Sequence, residues 1–384
     1  MTDIWLFLAL AYVAAYIAGL VLEAFWPIRM TGRHKAAAML LALSIAVIAF
    51  RLKPGPGLDL YRLHQNVDAM RAAGGGLIRR MGAVQSRYSG MLAFNLLCAM
   101  VSFFENNGWL SAVAVFGTFS MLLWVLLDFL KKEEYGSDAL LPAMAIVFMG
   151  VQVQYAFSGV RNALAVAMTA LGIYWLLYRR QRRAGAIVLL ALAMTMHPIV
   201  LAVIPTAILS GTKKQKVWRL AVLFALPIVF WLADKVLAVL PIAAMRSLGE
   251  RILFYTDRAY AYDRPEMIAN FAMFAAVGGG YWLLERLGCL EAEQTGWKRY
   301  VDAYYLMGFA MIGCVFRRDF ALRMGYLMGV AAVPLLCRIL FRRVEGANEK
   351  LAGIVPILVR LGLAVCCAKV YYDTWVVMMQ WQFV

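Results

Sequence analysis

Several ionisable residues stand where the surrounding sequence is otherwise apolar. Arg161 opens an apolar run in SGVRNALAV (158–166) that continues to Tyr178 and is closed by the basic cluster RRQRR (179–183). Arg323 lies inside another run, in FALRMGY (320–326), about one turn beyond Arg317 and Arg318. His197 immediately precedes Pro198, and Asp59 sits in KPGPGLDLYR (53–62) beside Tyr61 and Arg62. A charge within a membrane span is costly and normally faces a protein interior or a water-filled cavity, which makes each of these a functional candidate. Arginine presents a fixed fork of donors that matches phosphate oxygens. A carboxylate or an imidazole can take the proton of an attacking hydroxyl. The chemistry these types could do together is transfer from a diphosphate leaving group, with Asp59 or His197 as the base and Arg161 and Arg323 on the diphosphate. His197 has a second option, holding a phosphate oxygen as imidazolium.

Each residue also has a structural reading. Arg161 could snorkel to lipid headgroups, as could Arg317 and Arg318. Arg323 could pair with Asp319 four residues earlier, and His197 could cap a helix break before Pro198. Asp59 could serve the turn, since Pro-Gly-rich segments recruit Asp for backbone reasons. Tyr61 and Arg62 are equally open to a solvated role.

The elements that must position these side chains are membrane helices. The chain has 384 residues, 64% of them hydrophobic, against about half in a soluble protein. The excess falls in runs of roughly 15 to 24, the length a helix needs to cross a hydrocarbon core. The fold expected is all-α, a polytopic transmembrane protein with roughly 11–14 membrane segments, some short or broken. The whole chain, 1–384, reads as one integral membrane domain. Residues 4–22 are apolar but the preceding MTD lacks a basic stretch, so they read as a first span and not as a cleaved leader.

Basic loops face the cytoplasm. Placing RMTGRHK (29–35), KKEE (131–134), RRQRR, GTKKQK (211–216) and FRRVEGANEK (341–350) inside gives spans near 4–24, 36–50, 109–130, 139–157, 160–178, 217–240, 267–284, 300–316, 320–340 and 351–370. Two segments need special treatment. MLAFNLLCAMVSFF (91–104) is too short to cross and reads as interfacial or re-entrant. Residues 184–210 lie between two basic clusters that both belong inside, so they are expected to break at His197-Pro198 and return, because proline disfavours helix before it and removes a donor.

This map leaves two external loops. Residues 51–88 carry seven Lys and Arg against Asp59 and Asp68, 7 − 2 = +5, and the surplus is expected to serve a ligand. Residues 241–266 interleave Tyr255, Tyr260 and Tyr262 with four arginines and four acids, a surface suited to stacking sugar rings or simply a solvated loop. Arg161, Arg317, Arg318 and Arg323 all begin their spans on the outer side, so cations from distant parts of the chain are expected to converge on an external cavity with Asp59 and His197. The formal net charge of +16 agrees with a polyanionic or anionic-lipid partner, although cytoplasmic loops supply much of it. The six cysteines form no CxxC pair and read as small buried hydrophobes, and three histidines make a histidine-built metal centre improbable.

The block GVRNALAVAMTALGIYWLLYRRQRRAGAIVLLALAMTMHPIVLAVIP (159–205) resembles the core signature of EpsG-like, Wzy-type polysaccharide polymerases: an Arg-x-x-x-Ala helix start, a span, a short basic turn, and an apolar helix ending in His. Arg161, Ala165 and His197 occupy its marked positions. GLDLYRLH (57–64) is similar to the family's external Asp-x-x-Tyr-like element, with Asp-x-Tyr spacing here, which affects Tyr61 more than Asp59. FALRMGY looks like the late Arg-x-x-Tyr element, with Arg323 and Tyr326 matching. The resemblance implies a GT-C-like glycosyltransferase in the bacterial inner (cytoplasmic) membrane. Its substrate would be an undecaprenyl-diphosphate-linked oligosaccharide, bound at the periplasmic face among membrane lipid. Arg62, Tyr61, Arg317, Arg318 and Tyr326 are then contacts to diphosphate or glycan. Neither cofactor, metal nor nucleic acid is implied; a chain-length regulator or other assembly proteins are further partners. The competing readings are a glycan ligase, a single-sugar transferase, a flippase of the same lipid-linked sugar, and a scaffold.

Overall fold

A lipid environment gives the backbone no water to bond, so apolar runs of this length satisfy their amides internally as helices. The computed structural model describes residues 32–56, 58–85, 88, 90–135, 139–151, 153–179, 182–225, 228, 264–288, 295–315, 318–341, 354, 356–359, 361–362 and 382–383. The expected span at 4–24, most of 351–370, residue Arg317 and nearly all of the 241–266 loop lie outside the described residues. The helices are α1 (Gly32–Arg51), α2 (Asp59–Ala73), α3 (Leu77–Gly82), α4 (Leu92–Val101), α5 (Gly108–Lys132), α6 (Leu140–Val151), α7 (Val153–Ser158) and α8 (Val160–Ile173). They continue as α9 (Arg183–Met196), α10 (Val203–Leu209), α11 (residues 215–225), α12 (Arg264–Arg286), α13 (Thr295–Gly313), α14 (Arg318–Ala331) and α15 (Val333–Phe341). Among the described residues, four helices are long and apolar enough to cross a membrane: His34–Arg51, Gly108–Lys132, Val160–Arg179 and Met267–Arg286; α14 with α15 makes a fifth if the bent pair is one span. The protein is an all-α, multi-pass membrane protein.

The short segments behave as their sequences require. Helix α4 has ten residues, about 15 Å at 1.5 Å per residue and half of a hydrocarbon core. The 184–210 segment breaks at the expected place: α9 stops at Met196, His197 is extended, and Pro198–Ala202 form a 3₁₀ turn leading into α10. The expected span at 320–340 is a bent pair of helices. It bends by 47° between α14 and α15, two residues before Pro334, whose missing N–H cannot close the turn. The Tyr300 hydroxyl donates to the Ala331 carbonyl at this bend, 2.8 Å away.

The elements form two compact units. The first contains the described residues of 1–83, 96–167 and 367–384, the second those of 84–95 and 168–366. In the first, α5 starts against the end of α1: a Cβ on Gly108 would lie 2.1 Å from the Phe50 carbonyl oxygen, so only glycine fits. The segment expected as a charged external loop contains α2 and α3, and two of its seven Lys and Arg bind protein. Arg71 donates to the Phe104 carbonyl (2.8 Å), to Asn107 and to Asp68. Arg80 donates to the Gly75 and Ser102 carbonyls and lies 4.0 Å over the Phe103 ring. Together they lock α2 and α3 to the turn at 102–107.

A two-residue antiparallel pairing joins β1 (Leu52–Lys53) to β2 (Gln382–Phe383).

In the second unit, the last turn after α8, Tyr174–Arg179, is wound as π-helix. Its Tyr178 packs on Trp297, which stacks on Tyr300 at 5.7 Å between ring centres. Helix α12 presents Asn270, Phe274 and Gly278, four residues apart, to its neighbours: Phe274 fills the space left by Gly308, and the Tyr305 hydroxyl donates to the Gly278 carbonyl.

Candidate functional site

Each unit holds one arginine-centred pair drawn from the residues singled out by sequence. In the first unit, Arg161 is the second residue of α8 and Asp59 the first of α2. Arg161 Nη2 is 3.9 Å from Asp59 Oδ2, a charge contact longer than a hydrogen bond. The guanidinium side chain is 8% exposed and the carboxylate 40%, so Asp59 keeps oxygen surface for another partner. Asp59 sits favourably at the positive end of α2, whereas Arg161 adds a cation to the positive end of α8. An anion beside Arg161 would relieve that conflict.

In the second unit, Arg323 Nη1 lies 2.8 Å from His197 Nε2, and His197 Nδ1 accepts from the Ile199 N–H at 3.2 Å. His197 is 2% exposed. Both contacts bring N–H donors to the ring. An imidazolium would turn an N–H against each of them, so the geometry selects the neutral ring. A neutral ring has one lone pair in its plane. It can therefore accept in full from only one of the two, according to its tautomer. The ring nitrogen Nε2 is in direct contact with the guanidinium of Arg323. Arg323 meets His197; the side chain of Asp319, the alternative partner, lies outside what is described.

The other candidates are distributed as follows. Tyr326 follows Arg323 by three residues on α14 and is buried. Tyr61 and Arg62 are exposed on α2. Arg318 opens α14. His64, also on α2, is half-buried and packed near Asp68 and Arg71, and burial holds its pKa down at about 4.

Two further buried charges were not singled out. Asp302 on α13 accepts from Arg219 Nη2 (3.2 Å) and from the Gly211 N–H (3.3 Å), tying the turn after α10 to α13. Arg338 on α15 is buried with its guanidinium 4.2 Å over the Trp297 ring. Both are ionisable residues inside apolar runs, and the criterion that picked out Arg323 would have found them. Cys98, Cys314 and Cys337 are buried thiols. Among the described residues, no group of three His, Cys, Asp or Glu side chains is placed to hold a metal.

These features define a polytopic α-helical membrane protein with a buried arginine, Arg161, near a carboxylate in one unit and a part-buried one, Arg323, against an imidazole in the other. The model of the EpsG family matches residues 89–381, most of the chain, and the protein belongs to that family. Membership carries a polysaccharide polymerase-type role in general terms. Arg161, His197, Arg323 and Tyr326 lie inside the matched range; Asp59, Tyr61 and Arg62 precede it. No curated protein and no solved structure matches the chain.

Proposed function

We propose that the protein is a lipid-dependent glycosyltransferase that polymerises a bacterial surface polysaccharide. It transfers the growing undecaprenyl-diphosphate-linked glycan onto a hydroxyl of the next lipid-linked repeat unit, at the periplasmic face of the inner membrane, with a GT-C-like architecture. The anomeric C–O bond to the diphosphate breaks, the acceptor oxygen bonds to that carbon, and the acceptor proton goes to a base. Asp59 is the base: its carboxylate is partly exposed, whereas His197 is buried against Arg323. Arg161 and Arg323 contact diphosphate oxygens. Preorganised cations away from bulk water stabilise a leaving diphosphate without reorganising as its charge grows. Arg62, Arg318, Tyr61 and Tyr326, with Arg317, are outer contacts to diphosphate or glycan.

The observation that carries this reading is the Arg323–His197 contact, because the imidazole fixes the guanidinium without contributing a negative charge of its own. A cation held for structural reasons alone is more cheaply satisfied by carbonyls, as Arg71 and Arg80 are. The test is the lipid-linked glycan extracted from cells whose only copy is Arg161→Ala. The expected result is single repeat units on the carrier with no polymer. Long polymer accumulating on the carrier would instead indicate a ligase, and units retained at the cytoplasmic leaflet a flippase.

A further inference from the structure

Helix α2 buries a stripe of five side chains, and four of them are apolar: Leu60, Leu63, Val67 and Met70. The fifth is Asn66, at 0% exposure. It follows Asp59 by two helical turns, so the two polar groups share one face of α2, about 10 Å apart along its axis. Desolvating a carboxamide is costly, and leucine would fill the same space without that cost. The amide has a specific neighbour. It offers an N–H to the thiol of Cys98 on α4, and the charge of Arg161 acts on the same sulfur. Cys98 is also fully buried. Asn66, Cys98 and Arg161 therefore share the interior of the first unit, behind the charge contact of Arg161 with Asp59, whose carboxylate is the exposed member.

The chemistry of this corner is neutral but polar. A carboxylate at position 66 would neutralise the guanidinium, and an apolar side chain would give it no dipole to lie against. A carboxamide and a thiol present dipoles to a cation and add no charge of their own. Arg323 has support of the same kind in the second unit, where the uncharged His197 ring lies against it.

We infer that Asn66 is a positioning residue which, through Cys98, holds the Arg161 guanidinium toward Asp59 and the diphosphate without neutralising it. The inference rests on the polymerase reading, in which Arg161 contacts diphosphate oxygens.

Asn66→Asp and Asn66→Leu test it in the purified full-length protein, reconstituted with lipid-linked single repeat units. The thermal midpoint is measured for each variant, together with KM and kcat for polymer formation. In Asn66→Asp the new carboxylate pairs with Arg161 and competes with diphosphate. KM is expected to rise at least tenfold, with the midpoint unchanged or higher. Asn66→Leu removes the dipole, and kcat is expected to fall at least threefold, again without a lowered midpoint. A lowered midpoint in either variant overturns the inference: in Asn66→Asp it marks a buried carboxylate with no cation in reach, in Asn66→Leu a packing role. An unchanged KM in Asn66→Asp or an unchanged kcat in Asn66→Leu overturns it as well. Arg161→Ala is measured in parallel. If it leaves polymer intact, the polymerase reading fails; if it abolishes polymer while both Asn66 variants behave as wild type, only the role of Asn66 is lost.

Discussion

Arg323 and His197, 126 residues apart in sequence, meet at 2.8 Å with both sides of the imidazole facing N–H donors. The proposed reading makes the histidine a positioning residue, and substitution separates that role from a general base. Glutamine keeps an acceptor for Arg323 but is no base. His197→Gln is expected to retain polymer within about tenfold of wild type, while loss of a true general base costs about 10² to 10⁴. His197→Ala, lacking the acceptor, is expected to fall well below His197→Gln. Equal, complete loss in both would return the base role to His197.

Arg161 is expected to tolerate no cation but its own. Lysine keeps the charge but loses the planar fork, so polymer in Arg161→Lys should be reduced nearly as far as in Arg161→Ala. Full activity in the lysine variant would mean that the position supplies charge alone.

Among the arginines of residues 51–88, structural and free members separate by what they touch. Arg71 is held by Phe104, Asn107 and Asp68, whereas Arg79 is exposed. Arg71→Met removes the donor that ties the Phe104 carbonyl and the Asn107 side chain to α2 and should destabilise the α2–α3 segment by about 0.5–1.5 kcal/mol. Arg79→Met should change little. Hydrogen exchange over residues 59–83 measures the difference; equal protection in both variants would count against the clamp.

Local charge patterns showed which residues were anomalous but not what they meet. Arg161, Arg323 and His197 were legible because a cation or imidazole in an apolar run is expensive wherever the run folds, and Pro198 marked the break before it. Their partners were not legible, because contacts across 102 residues for Arg161–Asp59 or 126 for Arg323–His197 leave no periodic trace. The bend at Ala332 was signalled by Pro334 and missed because hydropathy runs through it. Arg71 and Arg80 were counted as ligand-binding charge because sequence cannot show a carbonyl already waiting in the 102–107 turn.

His64 gives a pH test. Its pKa falls from 6.5 to about 4 on folding, through burial, so the unfolded chain binds more protons between those values. Stability is therefore full above about pH 6.5 and declines as pH drops toward about 4. His64→Leu should remove that component of the decline. Thermal midpoints at pH 7 and pH 5 for wild type and variant decide it: an identical drop in both would rule out His64 as its source.

The most direct measurement is reconstitution of the purified protein in liposomes with lipid-linked single repeat units as the sole glycan. The account predicts a ladder of longer lipid-linked products, one free lipid diphosphate released per new linkage, and neither product with Arg161→Ala or Arg323→Ala. Units that merely change leaflet, with no ladder and no released diphosphate, would contradict it.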